Sequence, residues 1–261
     1  MFEKLATLSI IKKAVFTRGT IWPTDSITED ANLGVEMLSQ NLKISFANIQ
    51  IGTGVMPTTI PDYFKQYQRW LFGNFQTLFK LINTKNIKLK EKLKLATLLT
   101  AWLNLLSPTF CVAILFLPLI ALSGIHIINL VVIVGINILV HSFIQYKMLL
   151  KLSKNNYKKA LQGLFIHLST IDIGSFYWLS YFINTKKPFI RTNKFINESR
   201  QLPNSYFLLP LLFTLTGVIF LLSAHFGTAI VFFAFSMLLY YSKKQLIIEI
   251  DCSKNNFKSA L

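Results

Sequence analysis

The sequence predicts an α-rich membrane protein in which a short mixed region precedes a bundle of membrane-spanning helices. Three observations predict it. The 261 residues are 52% hydrophobic and only 15% charged, a smaller charged share than soluble domains carry. Apolar runs in the second half are longer than ordinary core helices. The bases, 27 Lys and Arg against 11 Asp and Glu, gather beside those runs, as in cytoplasmic loops that face an anionic leaflet.

The same composition excludes several classes. A net charge of +16 is compatible with nucleic acid, anionic lipid or phosphorylated substrates. No basic-aromatic motif of an RNA-binding module accompanies it, so nucleic acid is not an expected partner. Cys111 and Cys252 have no CxxC partners, and His126, His141, His167 and His225 lack ligand spacing. Neither a metal cluster nor a disulfide framework is implied. There is no internal repeat and no low-complexity segment, and the apolar stretch 5–11 is too short, and too soon closed by Lys12 and Lys13, for a signal peptide.

Residues 1–92 read as mixed structure: a short buried strand over 5–11 and a basic helical turn at 12–16. Ser26 precedes Glu29 by three residues, a capping-box pattern, with Leu33, Met37 and Leu38 following on one helical face. Thr28, Glu29 and Asp30 therefore fall at a helix N-terminus, where backbone N–H groups favour negative charge. Residues 43–50 alternate like a strand, and Gly52, Gly54 and Pro57 break the chain into a loop. A helix from about Thr59 to Leu81 follows, with Phe64, Leu71, Phe75, Leu78 and Phe79 apolar and Lys65, Gln68 and Arg69 polar, a pattern suited to the membrane interface.

The rest divides into a first transmembrane hairpin within 93–150, a cytoplasmic or interfacial part at 151–204, a second hairpin at 205–243 and a cytoplasmic tail at 244–261. The expected spans are 95–122, 127–149, 206–223 and 227–241. Neither short turn, 123–126 or 224–226, contains Lys or Arg, whereas 85–94, 147–159, 186–194 and 243–254 are all basic. The positive-inside rule puts both turns outside and the basic segments in the cytoplasm. Segment 161–184 is long enough to span, but it carries Asp172 mid-segment and would strand Lys186, Lys187, Arg191 and Lys194 outside. It is expected to lie in the interface or re-enter beneath the bundle.

Two polar signatures carry chemistry. The first is Thr28-Glu29-Asp30; the second is Gln66-Tyr67-Gln68-Arg69-Trp70. Sugar transfer from a nucleotide donor needs a carboxylate to take the acceptor's proton, cations to offset the diphosphate leaving charge and an aromatic face for the acceptor ring. Asp30, Arg69 and Trp70 are of these three types. Taken singly, the first signature reads better as a helix cap and the second as an interfacial anchor. Their order, and the membrane pattern behind them, favour the chemical reading.

Residues 5–195 resemble glycosyltransferase family 2, the processive cellulose, chitin and hyaluronan synthase-like group. The resemblance implies the C-terminal half of a GT-A-type α/β domain ahead of a helical transmembrane bundle with interfacial helices. It matches the family's T-E-D motif to Thr28, Glu29 and Asp30, making Asp30 the catalytic base. It matches Q-x-x-R-W to Gln66, Arg69 and Trp70, at the acceptor end and beside the donor diphosphate. Met56, Pro57 and Gly73 also fit the pattern. A loop with Phe189, Thr192 and Lys194 resembles the family's F-x-V-T-x-K gating loop, with Arg191 in place of Val.

The activity so implied is that of an inverting, hexosyltransferase-type enzyme of the plasma membrane, with its catalytic part and C-terminus cytoplasmic. The partners implied are a nucleotide-sugar donor, a growing polysaccharide or glycolipid acceptor and the bilayer. The cofactor expected for the family is Mg2+ or Mn2+. The D-x-D that holds it does not occur among the residues before Thr28, whose acids are Glu3 and Asp25. The chain is therefore expected to be a C-terminal part: a truncated product, a shortened reading frame or the partner of a separate N-terminal half. The alternatives are a catalytically inert membrane scaffold and, more weakly, a small transporter.

Overall fold

The structure, a computed structural model, describes residues 11, 26–45, 57–103, 127–184, 202–203 and 205–259. The expected strand and turn over 5–16 apart from Ile11, residues 46–50 of the expected strand, the glycine loop with Met56, the first span beyond Leu103 and the gating-loop residues Phe189, Arg191, Thr192 and Lys194 lie outside the described residues.

What is described is helical. Helix α1 (Glu29–Ser39) is followed by α2 (Ile60–Asn83) and α3 (Leu89–Leu99), which tightens into a 3-10 turn at Thr100–Leu103. Helix α4 (Ile127–Leu152) covers the expected second span, and α5 (Tyr157–Ser169), α6 (Ile171–Phe176), a 3-10 turn (Tyr177–Leu179) and α7 (Ser180–Ile183) make up the segment expected at the interface. Helices α8 (Leu208–Leu222) and α9 (Phe226–Ser259) close the chain. Residues 43–45 have no regular structure, so the strand pattern there is not realised in its described part.

The ends of these helices follow from their sequences. The expected capping box at Ser26 does not form: Thr28 occupies the N-cap position and its side chain makes no capping hydrogen bond. Glu29 and Asp30 instead meet the positive end of the helix in its first turn. Helix α1 ends in a Schellman turn. Asn41 takes a left-handed φ of 58°, and the N–H groups of Asn41 and Leu42 donate to the carbonyls of Leu38 and Met37. Helix α2 is capped by Thr59, whose hydroxyl accepts from the Asp62 N–H at 3.3 Å and donates to Asp62 Oδ2 at 2.7 Å. Pro61, which has no N–H to lose, fits the first turn. The turn between α8 and α9 is a second Schellman motif, with Ala224 at φ 59° and the His225 N–H donating to the Phe220 carbonyl.

The segment from Tyr157 to Ile183 is one helical path broken at Thr170. There Ser169 Oγ donates to the Ile166 carbonyl at 2.6 Å and Thr170 Oγ1 to the His167 carbonyl at 2.9 Å. These hydroxyls compete with the backbone for the carbonyls that would continue the helix. The break lets α6, the following 3-10 turn and α7 fold back along α2. Phe75 and Phe79 of α2 there join Trp178, Tyr181 and Phe182 in a cluster of stacked and edge-on rings.

Helix α9 runs on to Ser259, so residues 244–259, expected as a tail, continue the helix. Its stretch Phe226–Asn255 is long and apolar enough to cross a membrane by length and composition. Helix α8, over the expected third span, is an apolar helix of only 15 residues, short of the ~20 that cross a bilayer. Helices α8 and α9 pack as a hairpin. A methyl on Gly217 would stand 2.8 Å from the Phe233 ring, so glycine is what lets the two helices approach. The lower part of α9 packs on α2 and α5 through Ile60, Tyr63, Ile166, Tyr206, Leu246 and Ile250. This buried cluster joins the helix of the second signature to the apolar hairpin.

Candidate functional site

The two signatures, 36 residues apart from Asp30 to Gln66 by their numbering, meet at one point. Gln66, Arg69, Trp70 and Gly73 recur at helical spacing i, i+3, i+4, i+7 and share a face of α2. Thr28, buried at the start of α1, rests on the last of them. A Cβ placed on Gly73 would lie 2.5 Å from Thr28 Oγ1, 2.6 Å from its Cγ2 and 2.9 Å from its Cβ. Only a residue without a side chain admits Thr28 here. Thr77, one turn on, turns its hydroxyl back to the Gly73 carbonyl at 2.9 Å.

This contact sets the carboxylates of Glu29 and Asp30 beside Arg69. Both carboxylates are exposed, while Arg69 is partly buried on the face of α2. Burial lowers the pKa of the guanidinium, and the charges of Asp30 and Glu29 oppose that shift. Arg69 stays a cation throughout the physiological range. The Asp30 Oδ1 accepts from the Ala31 N–H at 2.9 Å, which holds the carboxylate at the helix start. Gln66 and Trp70 are both partly exposed. The site is thus an open surface with two carboxylates, a fixed cation and an indole.

Several residues that sequence reasoning passed over hold this surface in place. Tyr67, an x position inside the Q-x-x-R-W signature, is buried behind it and hydrogen-bonds Thr170 at the helix break. Burial and the charge of Asp172 raise its hydroxyl to about 12, against the lowering effect of that bond. Glu36 of α1 pairs with Lys80 of α2 at 3.3 Å, a second tie between the two signature helices. Between them lies a cleft of about 310 Å³ lined by Asn32, Gln76, Phe79, Lys80, Asn83 and Tyr181. A signal for Tyr67 existed in the sequence, since it lies within the signature. The signal for Lys80 did not, because its partner is set by the packing of α1.

The profile of the glycosyl transferase family group 2 matches residues 6–243. The chain belongs to this glycosyltransferase family. The match extends past the 5–195 over which the motifs suggested the likeness, through the α8–α9 hairpin as far as Lys243. No curated protein and no solved structure matches the chain. As a family 2 glycosyltransferase it is a transferase, and its family implies a nucleotide-sugar donor and an acceptor.

The divalent cation such enzymes are expected to use needs several converging oxygen or nitrogen donors. Among the described residues no three His, Cys, Asp or Glu side chains converge. Glu29 and Asp30 are the acids that act on Arg69, and a guanidinium beside them competes with a cation for their oxygens. The described residues do not fit a metal site, and no step below depends on one.

Proposed function

We propose that this glycosyltransferase transfers a sugar, with inversion, from a nucleotide-diphosphate donor to a growing cell-surface polysaccharide or glycolipid. Asp30 takes the proton from the acceptor hydroxyl, the freed oxygen attacks the anomeric carbon, and the bond from that carbon to the diphosphate breaks. Arg69 offsets the charge that develops on the leaving diphosphate, with a planar fork matched to phosphate oxygens. Gln66 and Trp70 seat the acceptor, the amide by hydrogen bonds and the indole by stacking. Thr28 and Glu29 fix the start of the helix that carries the base.

The observation that carries this reading is the seat of Thr28 on Gly73, because it puts a carboxylate-bearing helix start beside Arg69. An isolated helix cap or an isolated interfacial anchor has no reason to meet the other so closely. Docking of α9 onto α2 supports a site at the cytoplasmic membrane surface, with the apolar helices forming a multi-pass bundle. A gating role for Phe189, Thr192 and Lys194 and use of Mg2+ or Mn2+ supplied from outside the described residues belong to the same proposal.

The test is transfer from a panel of radiolabelled nucleotide sugars in membranes that contain the chain, alone and with a co-expressed nucleotide-binding half from a family relative. Label in a polymer or lipid fraction, in either condition, supports the enzyme. Label in neither condition favours the inert scaffold.

A further inference from the structure

Lys243 is the most enclosed cation among the described residues, with no accessible side-chain surface. It lies on α9 within Phe226–Asn255, and its Nζ donates to Asp172 Oδ2 at 2.8 Å across 71 residues of sequence. The Ser169 carbonyl stands at 3.5 Å from the same nitrogen. The ring of Tyr206 faces it at 4.5 Å and that of Phe64, on α2, at 5.9 Å. The Tyr206 hydroxyl donates to the Lys243 carbonyl at 2.9 Å, so the backbone of α9 is held as well as the side chain.

An ammonium removed from water is tolerated only where charge and donors are matched. Every one of its partners lies at the junction of the 157–183 segment, α8 and α2. Asp172 and Ser169 flank Thr170, the residue that hydrogen-bonds Tyr67 within the second signature. Lys243 is thus linked to Asp172, whose charge reaches Tyr67 and which stands two residues from the Thr170 that Tyr67 hydrogen-bonds, with Phe64 as a second branch. Sliding α9 by a single turn would move Lys243 about 5.4 Å and strand both charges.

We propose that Lys243 and Asp172 are positioning residues, a charged clasp by which the membrane-directed helix α9 sets the register of the α2 face that bears Gln66, Arg69 and Trp70. The functional meaning of that face rests on the reading given above. The mechanical coupling does not.

Hydrogen exchange of the full chain in detergent tests the coupling directly, with Lys243→Met and Asp172→Asn as separate variants. Both are expected to raise exchange of backbone amides over 63–71 about tenfold and to leave 208–222 unchanged. Asp172 is partly exposed, so its isosteric variant keeps the test usable if Lys243→Met fails to fold. Exchange that changes only around 166–175 and 239–250, with 63–71 unmoved, overturns the proposal. Affinity for inorganic pyrophosphate, compared with Arg69→Ala, supplies the second readout. A severalfold loss in both clasp variants supports positioning, whereas a loss in Arg69→Ala alone overturns it. If Arg69→Ala itself binds pyrophosphate normally, the role given to Arg69 falls and the exchange result alone decides the clasp.

Discussion

Thr28 sits so close to Gly73 that a methyl group on the glycine would stand 2.5 Å from the threonine hydroxyl. Two forces oppose each other at this position. Glycine in a helix interior costs about 1 kcal/mol relative to alanine, and overpacking a filled contact costs about 1–3 kcal/mol. Thr28 is β-branched and stiff at χ1, and even its Cβ is within 2.9 Å of the added atom, so rotation cannot relieve the clash. Gly73→Ala is expected to lower stability modestly and to push α1 away from Arg69. Thr28→Ala removes the Oγ1 and Cγ2 clashes but keeps the Cβ at 2.9 Å, so Gly73→Ala should cost less stability in the Thr28→Ala background than in the wild type. Thermal unfolding of the four proteins in a double-mutant cycle measures the coupling.

Arg69 is the cation that α1 meets. Arg69→Lys keeps the charge and loses the planar fork, so donor affinity is expected to fall about tenfold, and further in Arg69→Ala. Equilibrium binding of a labelled nucleotide diphosphate measures this. Equal affinity in wild type and both variants would remove Arg69 from the diphosphate site.

Tyr67 holds α2 to the helix break at Thr170. Tyr67→Phe removes one buried hydrogen bond and leaves Thr170 to its bond with the His167 carbonyl. The expected loss of stability is about 1–2 kcal/mol, read from a shift in the unfolding midpoint. Because Tyr67 adjoins Gln66, the variant should also weaken acceptor binding more than donor binding.

His167 gives the protein a pH dependence of known sign. Burial lowers its pKa from 6.5 to about 4, so the folded state keeps the ring neutral where the unfolded chain takes a proton. Stability is therefore expected to fall as pH drops from 6.5 to about 4 and to lose no more from this group below that. His167→Gln should flatten the unfolding profile over that window. A profile unchanged by the substitution would show that the ring is already solvated when folded.

Much of this architecture is legible in the sequence because it depends on local pattern. The helix from Thr59 reads directly from its cap, its Pro61 and its apolar spacing, and the structure places it at Ile60–Asn83. The turn at 224–226 is legible as the gap between apolar runs, and it is a Schellman turn at Ala224. Ser26 misled because Thr28, two residues on, can equally start α1, and the contact with Gly73 selects Thr28 for packing rather than for hydrogen bonding. Asp172 was legible as a charge too costly to leave mid-membrane. Its partner was not, since Lys243 reads as one more base of a cytoplasmic flank until α9 and the Thr170 break are packed together. The meeting of Asp30 with Arg69 likewise needs the tertiary contact, although each motif is plain by itself.

In the proposed reaction Asp30 removes the acceptor's proton. Asp30→Asn keeps the side chain's shape and its exposed place at the start of α1 while removing the basic oxygen. The most direct measurement is the rate of sugar transfer at saturating donor, in membranes where the wild-type chain is active, together with donor affinity. The rate is expected to fall at least about 100-fold, with donor affinity unchanged. A variant that transfers sugar at the wild-type rate would contradict this role for Asp30.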